Sequence, residues 1–171
     1  MLFRSVDRLV ACELHPQEAL ALRREFAGDR TVEVREEDGY HALKALLPPP
    51  ERRGLILIDP PFEAVDEFDR LARALQQGLR RFATGCYAVW YPIKEPATVD
   101  AFLGAFAALK HLRLELRVPP AAPDKLSACG LLVTNPPWKF EEAMHEALRW
   151  TARVLDAEAY VLPPGSQPHS L

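Results

Sequence analysis

Directly after the apolar run Leu55-Ile56-Leu57-Ile58 comes Asp59-Pro60-Pro61-Phe62. Two prolines stiffen this segment and take two N–H donors out of any ladder, and the Pro60 carbonyl there can accept from a ligand. A carboxylate, an adjacent carbonyl and an aromatic ring make a receptor for a planar exocyclic amino group. The two oxygens take both amino hydrogens, and the ring stacks on the base.

Such a segment has to be positioned by a sheet. The run 55–58 is too short for a helix and reads as a parallel strand buried on both faces. Further strands are expected at 8–13, 31–35, 86–91, 112–118 and 131–135. Helical patterns fill the intervals, starting at His15-Pro16 and stopping at Gly28, then over 41–47, 65–82 (Val65 to Phe82 marking one face) and 99–109. A last helix over 139–155 turns Phe140, Met144, Leu148 and Leu155 inward. Strands alternating with helices imply an α/β sheet with right-handed crossovers. The last two strands are separated by a loop and no helix, which admits one antiparallel strand at the end of an otherwise parallel sheet.

Sites in open α/β sheets lie beyond the carboxyl ends of the strands. Besides Asp59 to Phe62, those ends carry Glu13-Leu14-His15, Glu37-Asp38-Gly39, Trp90-Tyr91-Pro92 and Asn135-Pro136-Pro137-Trp138. Each has a plain structural reading. Glu13 reads as a turn residue and Asp38-Gly39 as a turn with Asp38 as a helix N-cap. Asn135 to Trp138 reads as a rigid strand exit with a packed indole, and Tyr87, Trp90 and Tyr91 as core. His15 and His41 have no metal-ligand company. Arg52-Arg53 and Arg80-Arg81 read as solvated faces, with phosphate contact as the alternative.

The 171 residues, 49% hydrophobic and 26% charged, suit one domain with a sizeable core and exclude disordered and collagen-like classes. No apolar run reaches the roughly 18 residues of a spanning helix, and the N-terminus lacks a secretion pattern, so the chain reads as soluble. The three cysteines, Cys12, Cys86 and Cys129, are odd in number and far apart, without zinc-like spacing. They read as free thiols in a reducing, cytoplasmic setting. A net charge of −3 gives no global electrostatic case for nucleic acid.

The segment Asp59-Pro60-Pro61-Phe62 resembles the [D/N/S]PP[Y/F/W] motif of amino-directed, S-adenosylmethionine-dependent methyltransferases. More of the chain is similar to one family of them. Arg53 to Glu63, Arg81 to Gly85 with Tyr87 to Pro92, Glu13 to Pro16, and Asn135 to Lys139 resemble the RlmJ family of bacterial 23S rRNA (adenine-N6) methyltransferases, over about residues 10–155. The resemblance implies a Rossmann-like class I methyltransferase sheet with an antiparallel last strand, S-adenosyl-L-methionine as cofactor, 23S rRNA as partner, no metal, no membrane, and a monomer when complete. It implies that Glu13 holds the cofactor ribose hydroxyls and that Asp38 and Gly39 contact its adenine region. Asp59 and the Pro60 carbonyl would orient the target amino group, Asp59 beside the cofactor, with Phe62 as the aromatic for the flipped base.

Family members also begin with a basic, histidine-bearing segment and a first strand opening into a glycine-rich cofactor loop. Nothing here matches either, and the 8 glycines include no GxG pair. Residues 6–158 are therefore expected to be the carboxyl portion of a methyltransferase domain, without its first strand. That portion should bind cofactor weakly and methylate little or nothing, with the edges of the family's second and fourth strands either exposed to aggregation or swapping, or paired directly where the first strand would lie. Met1-Leu2-Phe3-Arg4-Ser5 coincides with the translation of a sequencing-adapter end and is a candidate non-native sequence. Residues 163–171 read as a disordered tail. Two rival readings stay open: a DNA adenine methyltransferase, and a non-catalytic α/β binding or assembly module.

Overall fold

The computed structural model describes residues 7–120, 122 and 125–166; the expectations placed on residues 1–5 and 167–171 lie outside them. The elements run β1 (Leu9–Glu13), α1 (Pro16–Glu25), β2 (Val32–Glu36), α2 (Gly39–Leu46), β3 (Leu55–Ile58), α3 (Glu67–Arg81), β4 (Cys86–Pro92), α4 (Pro96–Gly104), β5 (His111–Arg117), β6 (Ala128–Thr134), α5 (Phe140–Leu155) and β7 (Glu158–Leu162). The chain divides into two compact units, residues 1–47 and 48–171.

In the first unit β1 and β2 form a parallel ladder, from Leu9 opposite Val32 to Glu13 opposite Glu36. Parallel neighbours need a crossover, which α1 supplies. Pro16 occupies its first turn, where a missing N–H costs nothing. Asp38 caps α2, its Oδ1 accepting the Tyr40 N–H at 2.7 Å. Ala19, Ala42, Leu43 and Leu47 are buried here.

The second unit holds a five-stranded sheet in the order β3-β4-β6-β5-β7. β3 and β4 are parallel; β6 is antiparallel to both β4 and β5, and β7 is antiparallel to β5. Hence β3, β4 and β5 share one direction, and β6 and β7 the other. The result is a mixed α/β fold in which three of the four ladders are antiparallel. The antiparallel direction expected of the 131–135 strand is observed; what differs is its place inside the sheet and the further antiparallel strand β7 at the edge. β6 lies inside, because a helix-free connection returns the chain directly alongside β5. Gly130 makes its place against β4 possible, since a Cβ there would overlap the Tyr91 ring. β7, which the patterning does not foresee, turns Tyr160 and Leu162 into the core.

β3 also departs from expectation. Ile58 is buried, but Leu55 and Leu57 are 70% and 68% exposed. β3 is an edge strand with its one described ladder to β4. Its alternation sends Leu55 and Leu57 to an uncovered face, so an all-apolar run here is buried on one side only. Along α3 the face of Leu71, Ala74, Leu75 and Gly78 is buried, with Gly78 leaving room for the Tyr87 ring, whose Cε1 lies 3.0 Å from where a Cβ would stand. Val65 precedes the helix and is fully exposed, not part of that face. In α5, Phe140, Met144 and Leu148 are half-buried, while Leu155, expected inward, is exposed at the last turn. No helix among the described residues is long and apolar enough to cross a membrane.

Candidate active site

The exit of β3 is built on the ladder to β4. Ile58 stands opposite Val89, so Asp59 and Trp90 follow at the same edge. Asp59 is exposed, Pro60 buried and Phe62 half-buried. The Asp59 carboxylate makes no hydrogen bond among the described residues.

Phe62 has φ +51°. A left-handed backbone costs an L residue about 1–2 kcal/mol, and for a bulky one it persists only where the surroundings hold it. The surroundings are aromatic: the Phe62 ring centroid lies 4.8 Å from Phe68 and 5.8 Å, edge-on, from Trp90. Phe68 continues to Phe102 at 5.5 Å, and Phe102 to Tyr91 at 6.1 Å. An acceptor carboxylate thus stands in solvent beside a ring fixed in position. That is an arrangement able to orient an amino group on a planar base.

Trp90 and Phe68 pack into this candidate site, although the sequence places Trp90 in the core and Phe68 on the apolar face of the 65–82 helix. The signal for Trp90 was the period of β4: Tyr87, Val89 and Tyr91 share one face and are wholly buried, while Trp90 points to the other and is half-buried. Burial pushes the Tyr87 phenol up to about 12, and burial followed by the Glu115 charge pushes Tyr91 higher still. Both are therefore neutral packing groups at physiological pH.

At the carboxyl ends of β1 and β2 the structure gathers Glu13, Asp38 and Gly39. Glu13 Oε1 accepts the His15 backbone N–H at 2.7 Å, which fixes the carboxylate at the start of α1. Its other oxygen has no partner among the described residues. Asp38 is the N-cap expected of it. Gly39 opens α2, and a Cβ there would meet nothing within 4 Å. The backbone at Gly39 is therefore approachable, and a carboxylate with a spare acceptor, Glu13, stands at the neighbouring strand end. This donor and acceptor set fits the ribose and base edge of an adenosyl group.

Asn135 to Trp138 lies elsewhere. β6 runs against β4, so its carboxyl end, Thr134, pairs with Tyr87 at the amino end of β4. The expected rigid exit is there: Asn135 Nδ2 donates to the carbonyls of Ala83 (2.8 Å) and Gly85 (2.9 Å). The expected packed indole is not, because Trp138 is 89% exposed. The cysteines are free; burial pushes all three thiols up, with Glu37 adding to the effect at Cys12. Among the described residues no group of three or more His, Cys, Asp or Glu could hold a metal ion.

Comparison with known proteins bears on this geometry. The RsmJ family model, described as ribosomal RNA large subunit methyltransferase D, RlmJ, matches residues 1–161. Ribosomal RNA large subunit methyltransferase J from Haemophilus influenzae is 42% identical over 161 residues, which is 92% of this chain and 57% of that protein. Its Escherichia coli namesake is 42% identical over 154 residues, 88% of this chain and 55% of that one. A crystal structure of a Legionella pneumophila protein is similar at a TM-score of 0.88 and 34% identity, covering 96% of this chain and 63% of that one. The chain thus spans a little over half the length of the curated relatives it matches.

Proposed function

This chain belongs to the RsmJ family of large-subunit ribosomal RNA methyltransferases, and on that premise we propose that it serves S-adenosylmethionine-dependent methylation of the exocyclic N6 amino group of an adenine in 23S rRNA. The observation that carries this reading is the β3 exit, with an exposed acceptor carboxylate at Asp59 beside the aromatic group of Phe62, Phe68 and Trp90. When bound, the cofactor supplies an electrophilic methyl group on a sulfonium.

The chain's own residues prepare the nucleophile. The adenine N6 lone pair is conjugated into the ring and is a poor nucleophile there. Asp59 and the Pro60 carbonyl accept both amino hydrogens, which favours localising that lone pair on nitrogen. Phe62 stacks on the flipped base and fixes its plane. With the cofactor's methyl group aligned to this nitrogen, Asp59 would take up the proton that the amino group gives up, or pass it to solvent. Glu13 holds the ribose hydroxyls through its spare oxygen, and Asp38 and Gly39 contact the adenosyl base. The cysteine chemistry suits the reducing cytoplasm, and the complete protein is a monomer.

Calorimetric titration with S-adenosylhomocysteine tests the cofactor half. Binding is expected, weakened at least about tenfold in Glu13→Ala, the loss of a charged hydrogen bond; a Glu13→Ala titration equal to wild type sinks this assignment. Tritium transfer tests the substrate half. Low-level incorporation into 23S rRNA fragments above duplex DNA is expected, and it should fall to background in Asp59→Ala. Preference for duplex DNA would instead select the DNA methyltransferase reading, and transfer indifferent to Asp59→Ala would remove the site.

A further inference from the structure

The sheet edge opposite Asp59 carries loops that the proposed reaction does not use. They are the approach to β3 (Pro48 to Gly54), the α3–β4 turn (Arg80 to Gly85), the approach to β5 (Lys110) and the exit of β6 (Asn135 to Lys139). Because β6 is antiparallel between β4 and β5, its exit joins their entries on one rim. Hydrogen bonds tie the four together. The Cys86 N–H donates to Gly54 O at 3.1 Å, the Asn135 N–H to Lys110 O at 3.0 Å, and the Asn135 side chain to Ala83 and Gly85.

Three residues on this rim hold left-handed backbone without being glycine: Arg52 (φ +50°), Asn135 (φ +49°) and Lys139 (φ +62°). Strain of this kind persists where surrounding structure holds it, and it concentrates at functional surfaces. The rim is basic on a chain whose net charge is −3, presenting Arg52, Arg53, Arg80, Arg81, Lys110 and Lys139, all exposed. Arg53 and Arg81 also hold contacts within the fold. Of the acids nearby, Glu141 and Glu142 lie in the first turn of α5, where the helix dipole opposes their charge. Glu51 has its own contacts. Amid these cations Trp138 stands 89% exposed. Four strand ends at about 4.8 Å spacing make a rim roughly 15 Å across.

We propose that this rim is a second docking surface for single-stranded RNA, in which the basic side chains follow the phosphates and the Trp138 indole stacks on a base. A cation row interleaved with an exposed aromatic is the chemistry that holds single strands, while duplexes keep their base faces hidden. The inference rests on the RNA-directed reading above and deepens it. A structured RNA engaged at the Asp59 edge is also gripped on the far side of the sheet, which would offset the unhelpful overall charge.

Fluorescence anisotropy with a single-stranded RNA of about 12 nucleotides, a length such surfaces engage, tests the proposal on the full chain across a salt series. The variants are Arg80→Glu/Lys110→Glu, Trp138→Ala, and Arg149→Glu as a control on exposed α5; circular dichroism confirms folding. Arg80→Glu/Lys110→Glu is expected to weaken binding at least tenfold and flatten the salt dependence. Trp138→Ala should weaken it at least fivefold with the salt dependence kept, and RNA should quench the wild-type indole emission. Arg149→Glu should change neither. RNA bound equally by all variants overturns the rim while leaving the methyl-transfer reading to its own cofactor and tritium tests. Absence of RNA binding at low salt overturns it as well, and equal affinity for duplex and single strand replaces stacking by charge alone.

Discussion

Two strand exits in this protein share one residue pattern, an acid or amide, two prolines and an aromatic: Asp59-Pro60-Pro61-Phe62 after β3 and Asn135-Pro136-Pro137-Trp138 after β6. Their chemistry is opposite. At β3 the polar head group is exposed and makes no hydrogen bond among the described residues, while the ring is packed on Phe68 and Trp90. At β6 the head group is spent on the Ala83 and Gly85 carbonyls, while the ring is in solvent. The difference follows from strand direction. β3 is parallel to β4, so its exit opens beyond the carboxyl ends of the strands. β6 is antiparallel, so the same tetrad emerges among the loops that enter β4 and β5 and is used to fasten them. A short motif describes local stiffness; the sheet decides which edge it serves.

The sharpest way to break this comparison is Asn135→Asp, which makes the second tetrad resemble the first. The carboxylate cannot donate, and both carbonyls lose their partner, so a loss of about 2–3 kcal/mol in urea unfolding is expected. A stable Asn135→Asp protein would mean the amide is not the fastener. The neighbouring Tyr87 hydroxyl, which donates to Phe82 O at 3.1 Å, is the next test. Tyr87→Phe should cost about 1 kcal/mol at pH 7.

The same residue makes a pH prediction. Its phenol is raised by burial from an ordinary value near 10 to about 12. The folded state therefore holds that proton more tightly than the unfolded chain. The stability it contributes is fully present below pH 10 and is lost as pH rises from 10 through 12. An alkaline melting series should show that fall in the wild type and less of it in Tyr87→Phe.

The smallest expected effects set the two exits apart again. Lys139→Gly, which relieves the left-handed backbone at φ +62°, should raise stability by about 0.5 kcal/mol. Asp59→Asn should leave thermal stability unchanged, within about 0.5 kcal/mol, since an exposed side chain without a hydrogen bond holds nothing together. A large destabilisation in Asp59→Asn would assign that exit a structural role and weaken the site.

Much of this was legible beforehand. Proline at the start of α1, the Asp38 cap and the apolar face of α3 are local signals, and every element but β7 forms within about five residues of its expected bounds. The β3 exit was legible as chemistry because its carboxylate, carbonyl and ring lie within one tetrad. Trp90 and Phe68 were not, because their membership of the site depends on the β3–β4 register and on the path of α3, neither of which is written in a single segment. The exposure of Leu55 and Leu57 was equally hidden: apolar composition says that a strand tolerates burial on both faces, not that both faces are covered. β7 was missed because a five-residue strand after a long helix carries little pattern until β5 offers it an edge.

The sequence by itself determined the alternation of strands and helices, the free thiols and the family, since those rest on residue type and near-neighbour spacing. The tertiary structure alone decided that β6 enters the sheet antiparallel between β4 and β5, and therefore which Pro-Pro exit faces solvent with an open carboxylate and which one fastens a basic rim. Strand direction is set by which long-range pairing satisfies the backbone and fits side chains such as Tyr91 over Gly130. Those contacts link residues far apart in the chain, so no local pattern encodes them.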